Sequence, residues 1–118
     1  MRDTIKKHKD FLMGEEEPVA KCAFCLIRAR LTHFPGNAQY GLVATKRTFR
    51  HAVDRNRAKR LLRDWIYHNR HLLRDDMDYI FIARSAILDA SRSDGREALR
   101  KALRYLMVTA YVTKDEKK

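Results

Sequence analysis

The segment from residue 51 to residue 70, HAVDRNRAKRLLRDWIYHNR, combines an apolar stripe with a dense set of basic side chains. Its apolar residues recur at the i, i+3, i+4, i+7, i+8 spacing of one helix face, and they are Ala58, Leu61, Leu62, Trp65 and Ile66. This spacing predicts a long helix from near residue 50 to near residue 70 that packs on a sheet. The fold must therefore bury one side of this helix and leave the other side in solvent.

The solvent side of the predicted helix is almost entirely cationic. It carries Asn56, Lys59, Arg60, Arg63, Tyr67 and Arg70, with Arg55 and Arg57 on its flanks. Asp54 and Asp64 are the only acids between residues 51 and 70, so the like charges repel one another in the free protein. A charged face that is merely solvated is the usual explanation of a basic helix. The single sign of these charges instead favours a phosphate-rich partner, because Arg can donate two parallel hydrogen bonds to phosphate oxygens.

The charge of the whole chain supports a polyanionic partner. Among 118 residues, 26 Lys and Arg stand against 15 Asp and Glu, which gives a formal net charge of +11. Positive potential of this extent most often binds a nucleic-acid backbone. An acidic membrane surface is the alternative, but the sequence has no long apolar run and no signal peptide. We expect one cytoplasmic domain over residues 1–118, frayed at about 1–3 and 112–118, with no membrane partner.

A coarse pass along the chain predicts an α+β fold. We expect a short helix at residues 4–13, a strand at 19–31, a turn at 32–39 marked by Pro35 and Gly36, and a strand at 40–45. After the long helix come a polar junction at 74–78, a buried strand at 79–83, a loop, and a final helix at 94–110. Asp94 is the expected start of that last helix.

Two motifs could carry chemistry, and neither is predicted to do so. Cys22 and Cys25 have the C-x-x-C spacing of zinc and redox sites. In a continuous strand, however, side chains three residues apart point to opposite faces, and no second Cys or His pair lies at finger spacing. We therefore predict two reduced, half-buried thiols. The carboxylates of Asp75, Asp76 and Asp78 are expected to form a solvated junction between two regular elements rather than a Mg²⁺ site.

The sequence also contains no recognisable catalytic machinery. It has no local Ser, His and Asp arrangement, no H-E-x-x-H motif, and only four Gly residues, none of which forms a phosphate-cradling loop. We therefore predict no catalytic residue and no metal ligand in this chain.

Residues 41–65, GLVATKRTFRHAVDRNRAKRLLRDW, resemble the signature of the bacterial ribonuclease P protein subunit. In that signature a strand leads through a basic pair into a helix with Ala, then Arg-Asn-Arg, one residue, and Lys-Arg. The matching positions here are Lys46, Arg47, Ala52, Arg55, Asn56, Arg57, Lys59 and Arg60. The segments KKHKDF, VAKCAFCLIRARL and DYIFIAR resemble further parts of the family in order and spacing, so the resemblance covers about 100 residues.

The resemblance implies a small two-layer α-β sandwich in which the helices lie against one side of a central sheet. It also implies a left-handed βαβ crossover through the Arg-Asn-Arg helix, a topology shared with the second domain of a small-subunit ribosomal protein. Most such crossovers are right-handed, so this feature comes from the family alone. Functionally, the resemblance implies a subunit that works with a large catalytic RNA to remove the 5′ leader of precursor tRNA. The ribonucleoprotein would require Mg²⁺ bound by the RNA, while the protein itself binds no cofactor.

The resemblance implies two binding surfaces. The helix face would bind the catalytic RNA through Arg55, Asn56, Arg57, Lys59, Arg60 and Arg63. A cleft at the sheet would bind the single-stranded leader through Phe11, Lys46 and Arg47, with Lys21 and Ile27 as further contacts on one face of the first strand. An aromatic side chain beside cations suits an unstacked base and its backbone, although Phe11 also suits a core position.

The chain departs from the family pattern in this second surface. A second Phe one turn after the first is replaced at Gly14 and Glu15, an aromatic of the first strand is replaced by Ile27, and the segment between Phe11 and Phe24 is shortened.

Two other functions share several of these features. A ribosomal or other basic structural RNA-binding protein would have the same size, charge and layout, and would co-purify with ribosomal subunits rather than with one separate large RNA. A DNA-binding regulator could place the basic helix in a major groove, but it would need a short preceding helix, whereas residues 40–45 are predicted to be a strand.

Overall fold

A computed structural model describes residues 3–4, 19–32 and 39–116, and within these the side chains of residues 19–32 and 39–107. The strands are β1 (Asp3–Thr4), β2 (Val19–Lys21), β3 (Cys25–Leu31), β4 (Gln39–Val43) and β5 (Met77–Ala83). The helices are α1 (Ala52–His68) and α2 (Arg92–Glu116), and short 3-10 helices occupy Arg70–Leu72 and Ser85–Asp89. The order of long elements agrees with the predicted α+β layout.

The five strands form one mixed sheet in the order β1-β4-β5-β3-β2. β3 is antiparallel to both β2 and β5. β4 and β5 are parallel neighbours, and the chain connects them through α1. This connection is the βαβ crossover through the basic helix that the resemblance implies, while its left hand stays a prediction.

Both long helices cover the same face of the sheet. The residues of β3 and β5 that are buried on the helix-facing side of the sheet include Ile27, Ala29, Tyr79 and Phe81. They form one core cluster with side chains of the two helices, namely Ala58, Leu62, Trp65, Ile66, Leu99, Leu103 and Leu106. Arg28, Arg30 and Ile80 occupy the intervening positions of β3 and β5, on the other face of the sheet. The fold is therefore the expected two-layer α-β sandwich.

The predicted strand at residues 19–31 is in fact a hairpin. β2 and β3 pair antiparallel, with Ala20 opposite Ile27, and the backbone N–H of Cys22 donates to the carbonyl of Cys25 at 3.0 Å. The loop consists of Ala23 and Phe24 alone. It lacks the Gly, Asn or Asp that marks most two-residue hairpin loops, so the sequence resembles a continuous strand.

The other element boundaries differ from the predictions by a few residues. α2 begins at Arg92 rather than Asp94, because the hydroxyl oxygen of Ser91 accepts the backbone N–H of Asp94 at 3.1 Å. It continues to Glu116 rather than ending at residue 110. The loop predicted at residues 88–95 instead includes the end of the 3-10 helix Ser85–Asp89 and the start of α2. Of the helix predicted at residues 4–13, Thr4 lies in β1 and the remainder lies outside the described residues.

Contacts with α2 fix the position of α1. Gly95 lies so close to Trp65 that a β-carbon at residue 95 would stand 2.0 Å from its Cζ2 atom. The buried amide of Asn69 donates from Nδ2 to the carbonyls of Trp65 at 2.9 Å and Arg96 at 3.1 Å. Arg96 also donates two hydrogen bonds of 3.2 Å to the carboxylate of Asp64. These contacts hold the carboxyl-terminal half of α1 and thereby orient its outer face.

Candidate nucleic-acid interface

The outer face of α1 carries the basic residues that the sequence assigned to it. Ala58, Leu62, Trp65 and Ile66 are buried against the core. The side chains of Asn56, Arg57, Arg60 and Arg63 are exposed, and Lys59 is half-buried at the edge of the same face. The predicted separation of apolar and basic sides is therefore confirmed. We call this set, Asn56, Arg57, Lys59, Arg60 and Arg63, the basic face.

Arg55 is positioned differently from the other cations of the helix. It is half-buried, and its Nη1 donates to the backbone carbonyls of Phe49 at 2.9 Å and Arg50 at 3.2 Å. The helix has no side-chain hydrogen bond at its amino-terminal cap, His51. Arg55 therefore ties the incoming loop to the first turn of α1, a structural task that the sequence did not reveal.

Lys46 and Arg47 are exposed in a tight turn that follows β4. The hydroxyl oxygen of Thr45 accepts the backbone N–H of Thr48 at 3.2 Å, and the N–H of Phe49 donates to the carbonyl of Thr45 at 2.9 Å. Phe49 is buried and anchors the end of this turn in the core. Because Arg55 bonds the carbonyl of Phe49, this turn is fixed relative to the start of the basic face.

The acid nearest the middle of α1 does not offset the basic face. Asp64 is paired with Arg96 of α2, and one of its oxygens lies 3.5 Å from Nε2 of His68. The hydrogen bond from Arg96 lowers the pKa of the Asp64 carboxyl. Its negative charge is therefore matched by a cation from the neighbouring helix, and the exposed Arg and Lys side chains keep their positive potential.

The residues predicted to contact a leader do not all share one surface. Phe11 lies outside the described residues. Ile27 has no exposed surface and belongs to the helix-facing core, so its prediction as a leader contact is wrong. Its pairing with Ala20 across the hairpin also places Lys21 on the opposite face of the sheet. Lys21 is exposed, on the edge strand β2.

Sequence reasoning missed two arginines on the sheet face away from the helices. Arg28 and Arg30 are half-buried there, and among the described residues Nε of Arg28 has no hydrogen-bond partner. Nε of Arg30 lies 3.9 Å from the carboxylate of Asp78. The signal was present in CLIRARL, where Arg28 and Arg30 alternate with apolar residues, but a single strand over residues 19–31 without the turn at Ala23 does not assign its faces correctly.

Asp78 is not part of a solvated junction, contrary to the prediction. It lies within β5 and is buried, and its Oδ1 accepts the backbone N–H of Gln39 at 2.8 Å. This carboxylate therefore joins the start of β4 to β5. In the described part of the chain, no group of three or more His, Cys, Asp or Glu side chains could hold a metal ion.

The two cysteines are close together, and the prediction that they point to opposite faces is wrong. They stand directly opposite each other at the end of the hairpin, with their sulfur atoms 3.5 Å apart. Cys25 is buried and Cys22 is half-buried. The hydrogen bond from the Cys25 thiol lowers the pKa of Cys22 to about 6, and burial acts in the opposite direction.

Comparisons with a family model and with known proteins all match ribonuclease P proteins. The family model described as Ribonuclease P matches residues 2–107. A ribonuclease P protein component of Pelotomaculum thermopropionicum is 30% identical over 86% of this chain and 90% of the relative. One from Lactobacillus delbrueckii is 32% identical over 97% of this chain and 95% of the relative.

Solved structures share the fold. The ribonuclease P protein of Staphylococcus aureus superposes with a TM-score of 0.73 at 21% identity, over 89% of this chain and 95% of that chain. The ribonuclease P protein of Thermotoga maritima gives 0.72 at 20% identity, over 88% and 97%. In the part of the chain that is described, no helix is long and apolar enough to span a membrane.

Proposed function

Because the chain belongs to the ribonuclease P protein family, we propose that it binds the catalytic RNA of a bacterial ribonuclease P through its basic face. The observation that carries this proposal is the one-sided exposure of α1. Its apolar side is buried, while Asn56, Arg57, Arg60 and Arg63 project into solvent. Cations held on a rigid helix can meet the phosphates and 2′-hydroxyls of a folded RNA without reorganisation of the protein.

The leader of precursor tRNA is the second ligand that we propose. Its surface would be the sheet face away from α1 and α2, which carries Arg28 and Arg30 of β3, with Val19 of β2 and Ile80 of β5 on either side of Arg28. Phe11 remains a proposed contact from the sequence, and Lys21, Lys46 and Arg47 are exposed cations available to the leader backbone. Single strands are bound by such combinations of cationic and apolar or aromatic side chains.

Hydrolysis itself is proposed to be the task of the RNA subunit and of Mg²⁺ bound to it. The protein's contribution is electrostatic and geometric: it neutralises phosphates of the catalytic RNA and holds the leader. A complex that the protein has partly neutralised needs fewer free cations to reach its active form. The site of action would be the cytoplasm, where tRNA precursors are made in bacteria.

The test is processing of a precursor tRNA by a bacterial ribonuclease P RNA with and without this protein. We expect no cleavage by the protein alone, and cleavage by the RNA at a lower Mg²⁺ concentration when the protein is present. The matched controls are the protein unfolded by heat and a basic protein of similar charge but different fold. Metal-dependent cleavage by RNA-free protein, or equal stimulation by the unrelated basic protein, would contradict the proposal.

A further inference from the structure

A recess lies at the carboxyl-terminal end of α1, beside the last cation of the basic face. Its volume is about 160 Å³. Tyr40, Ile66 and Leu73 form an apolar floor, and Arg63, Tyr67 and Arg70 stand on the rim. Tyr40 and Ile66 are buried core residues, so the floor is fixed by the fold. The recess therefore joins a rigid apolar surface to a cationic edge.

The rim contains an arginine packed on an exposed aromatic ring. The Cζ atom of Arg70 lies 4.3 Å from the centre of the Tyr67 ring, and its Nη1 donates to the carbonyl of Tyr67 at 2.9 Å. The centres of the Tyr67 and His68 rings are 5.5 Å apart, and the two rings are nearly perpendicular. Tyr67 is nevertheless 55% exposed. Arg70 and His68 thus hold the Tyr67 side chain in place, although its exposure means that core packing does not explain an aromatic residue here.

We infer that this recess binds one unstacked base of the RNA that the basic face holds. The base would stack on the fixed Tyr67 and Arg70 pair, and its phosphate would contact Arg63. This inference rests on the proposed function and adds a second kind of contact to it. Aromatic rings and guanidinium planes are the usual stacking partners of bases displaced from a helix.

The size of the recess favours a single ring system. Pockets that enclose a whole small molecule usually have about 300–1,000 Å³. A volume of about 160 Å³ is too small for a folded peptide segment or a lipid chain. A flat heterocycle with its sugar and phosphate outside would fit this shape.

The position of the recess favours RNA over a free nucleotide. Asn56, Arg60, Arg63 and Tyr67 lie at i, i+4, i+7 and i+11 of α1, which is one row along the helix surface. Arg63 belongs both to the basic face and to the rim. A strand whose phosphates follow this row would bring its next base to the recess. The carboxylate of Asp75, which also lines the recess, would favour a base with an exocyclic amino group.

The experiment compares Tyr67→Ala with Tyr67→Phe and Tyr67→Leu in binding to a bacterial ribonuclease P RNA. Tyr105→Ala is the matched control, because Tyr105 lies on α2 and is 57% exposed, close to the 55% of Tyr67. Affinity is measured over a range of salt concentrations, and thermal melting confirms that each variant is folded. We expect Tyr67→Ala and Tyr67→Leu to lower affinity by about 5- to 150-fold, the usual range for one stacked base. Tyr67→Phe should retain most of the affinity.

The salt dependence separates stacking from charge. Loss of a stacked base should leave the slope of log affinity against log salt unchanged, whereas Arg57→Ala should reduce it by about 1. If Tyr67→Ala binds as tightly as Tyr105→Ala while Arg57→Ala binds weakly, the recess is not a base site and the proposed function stands. If Tyr67→Ala reduced the slope of log affinity against log salt, the inference that Tyr67 stacks on a base would also be overturned. If the unaltered protein does not bind the RNA, both proposals fail.

Discussion

Cys22 is the residue whose chemistry depends most on the hairpin. The thiol of Cys25, directly opposite across the two-residue loop, donates to the sulfur of Cys22 and lowers its pKa from 9.0 to about 6. The same contact and burial raise the pKa of Cys25. The thiolate is the nucleophilic form of cysteine, so one sulfur of the pair should be reactive and the other inert.

We predict that the rate of Cys22 alkylation by iodoacetamide rises with pH to a plateau, with its midpoint near the pKa of about 6. Cys25→Ala removes the largest cause of the shift, so the midpoint should move toward the ordinary thiol value. Peptide mass spectrometry measures the rate at each sulfur, and Cys22→Ser identifies the labelled site. A midpoint that is the same in both proteins would show that Cys25 does not activate Cys22.

At the scale of elements, hydrophobic periodicity predicted the long helices, and a continuous apolar run at residues 79–83 predicted the central strand. α1 was expected from near residue 50 to near residue 70 and occupies Ala52–His68. The prediction is accurate because an apolar stripe of this length is typical of a helix alone. Two-residue hairpins are harder to recognise. Residues 19–31 keep their alternation through the loop, so neither the turn at Ala23 nor the two faces of β3 could be assigned. The misplacement of Ile27 follows directly from that missed turn.

The candidate site was predictable to the extent that it lies on a single helix. Helical spacing placed Arg60 and Arg63 on the outer face and Arg57 on its flank, and their exposure follows from the burial of Trp65 on the other side. Their role in binding the catalytic RNA was implied by the family resemblance. Features that depend on loop conformation or on tertiary packing were not predictable. The carbonyl bonds of Arg55 depend on the path of the loop before α1, and the recess that Tyr40 shares with α1 depends on the packing of the helix on the sheet.

The contact between the two helices leads to a prediction at Gly95. Ala is normally favoured over Gly within a helix by roughly 0.5–1 kcal/mol. Here the new methyl group would stand 2.0 Å from the ring of Trp65, which is fully buried. Overpacking of this kind typically costs about 1–3 kcal/mol, so we expect Gly95→Ala to lower the free energy of unfolding. Urea denaturation measures the change.

The matched control for that prediction is Ala98→Gly, a half-buried position in the same helix. The decrease in the free energy of unfolding of Ala98→Gly should reflect helix propensity and a small loss of packing alone. Combining Gly95→Ala with Trp65→Phe, which removes the ring atoms in the clash, should cost less than the sum of the two single changes. Additive losses, or a more stable Gly95→Ala protein, would mean that α2 adjusts without strain.

At the scale of the whole molecule, the sandwich separates two kinds of surface. The helix layer presents the basic face on α1, and the sheet layer presents Arg28 and Arg30 on its opposite side. Among the described residues, cations therefore lie on both layers of the sandwich. Under the proposed function, the catalytic RNA and the leader would therefore contact different cations.

This distribution predicts that affinity for the catalytic RNA falls steeply with salt concentration, and that the cations of the basic face account for the effect. Binding of the catalytic RNA should weaken linearly on a plot of log affinity against log salt, because each neutralised phosphate releases counterions. Removing Arg57 and Arg60 together should lower the slope by about 2, and each lost charged contact should cost about 1.5–3 kcal/mol of binding energy. Folding should be nearly unchanged, since exposed substitutions usually alter stability by less than about 0.5 kcal/mol.

Arg104→Ala is the control that separates position from net charge. Arg104 is exposed on α2, so its loss removes one positive charge outside the basic face. If general positive potential drives binding, Arg104→Ala and Arg57→Ala should weaken it equally and reduce the slope equally. If the basic face makes the contact, only Arg57→Ala should do so, and Arg104→Ala should lower mainly the rate of association. Equal effects on affinity would therefore refute the assignment of the interface to α1, even with the family membership of the chain unchanged.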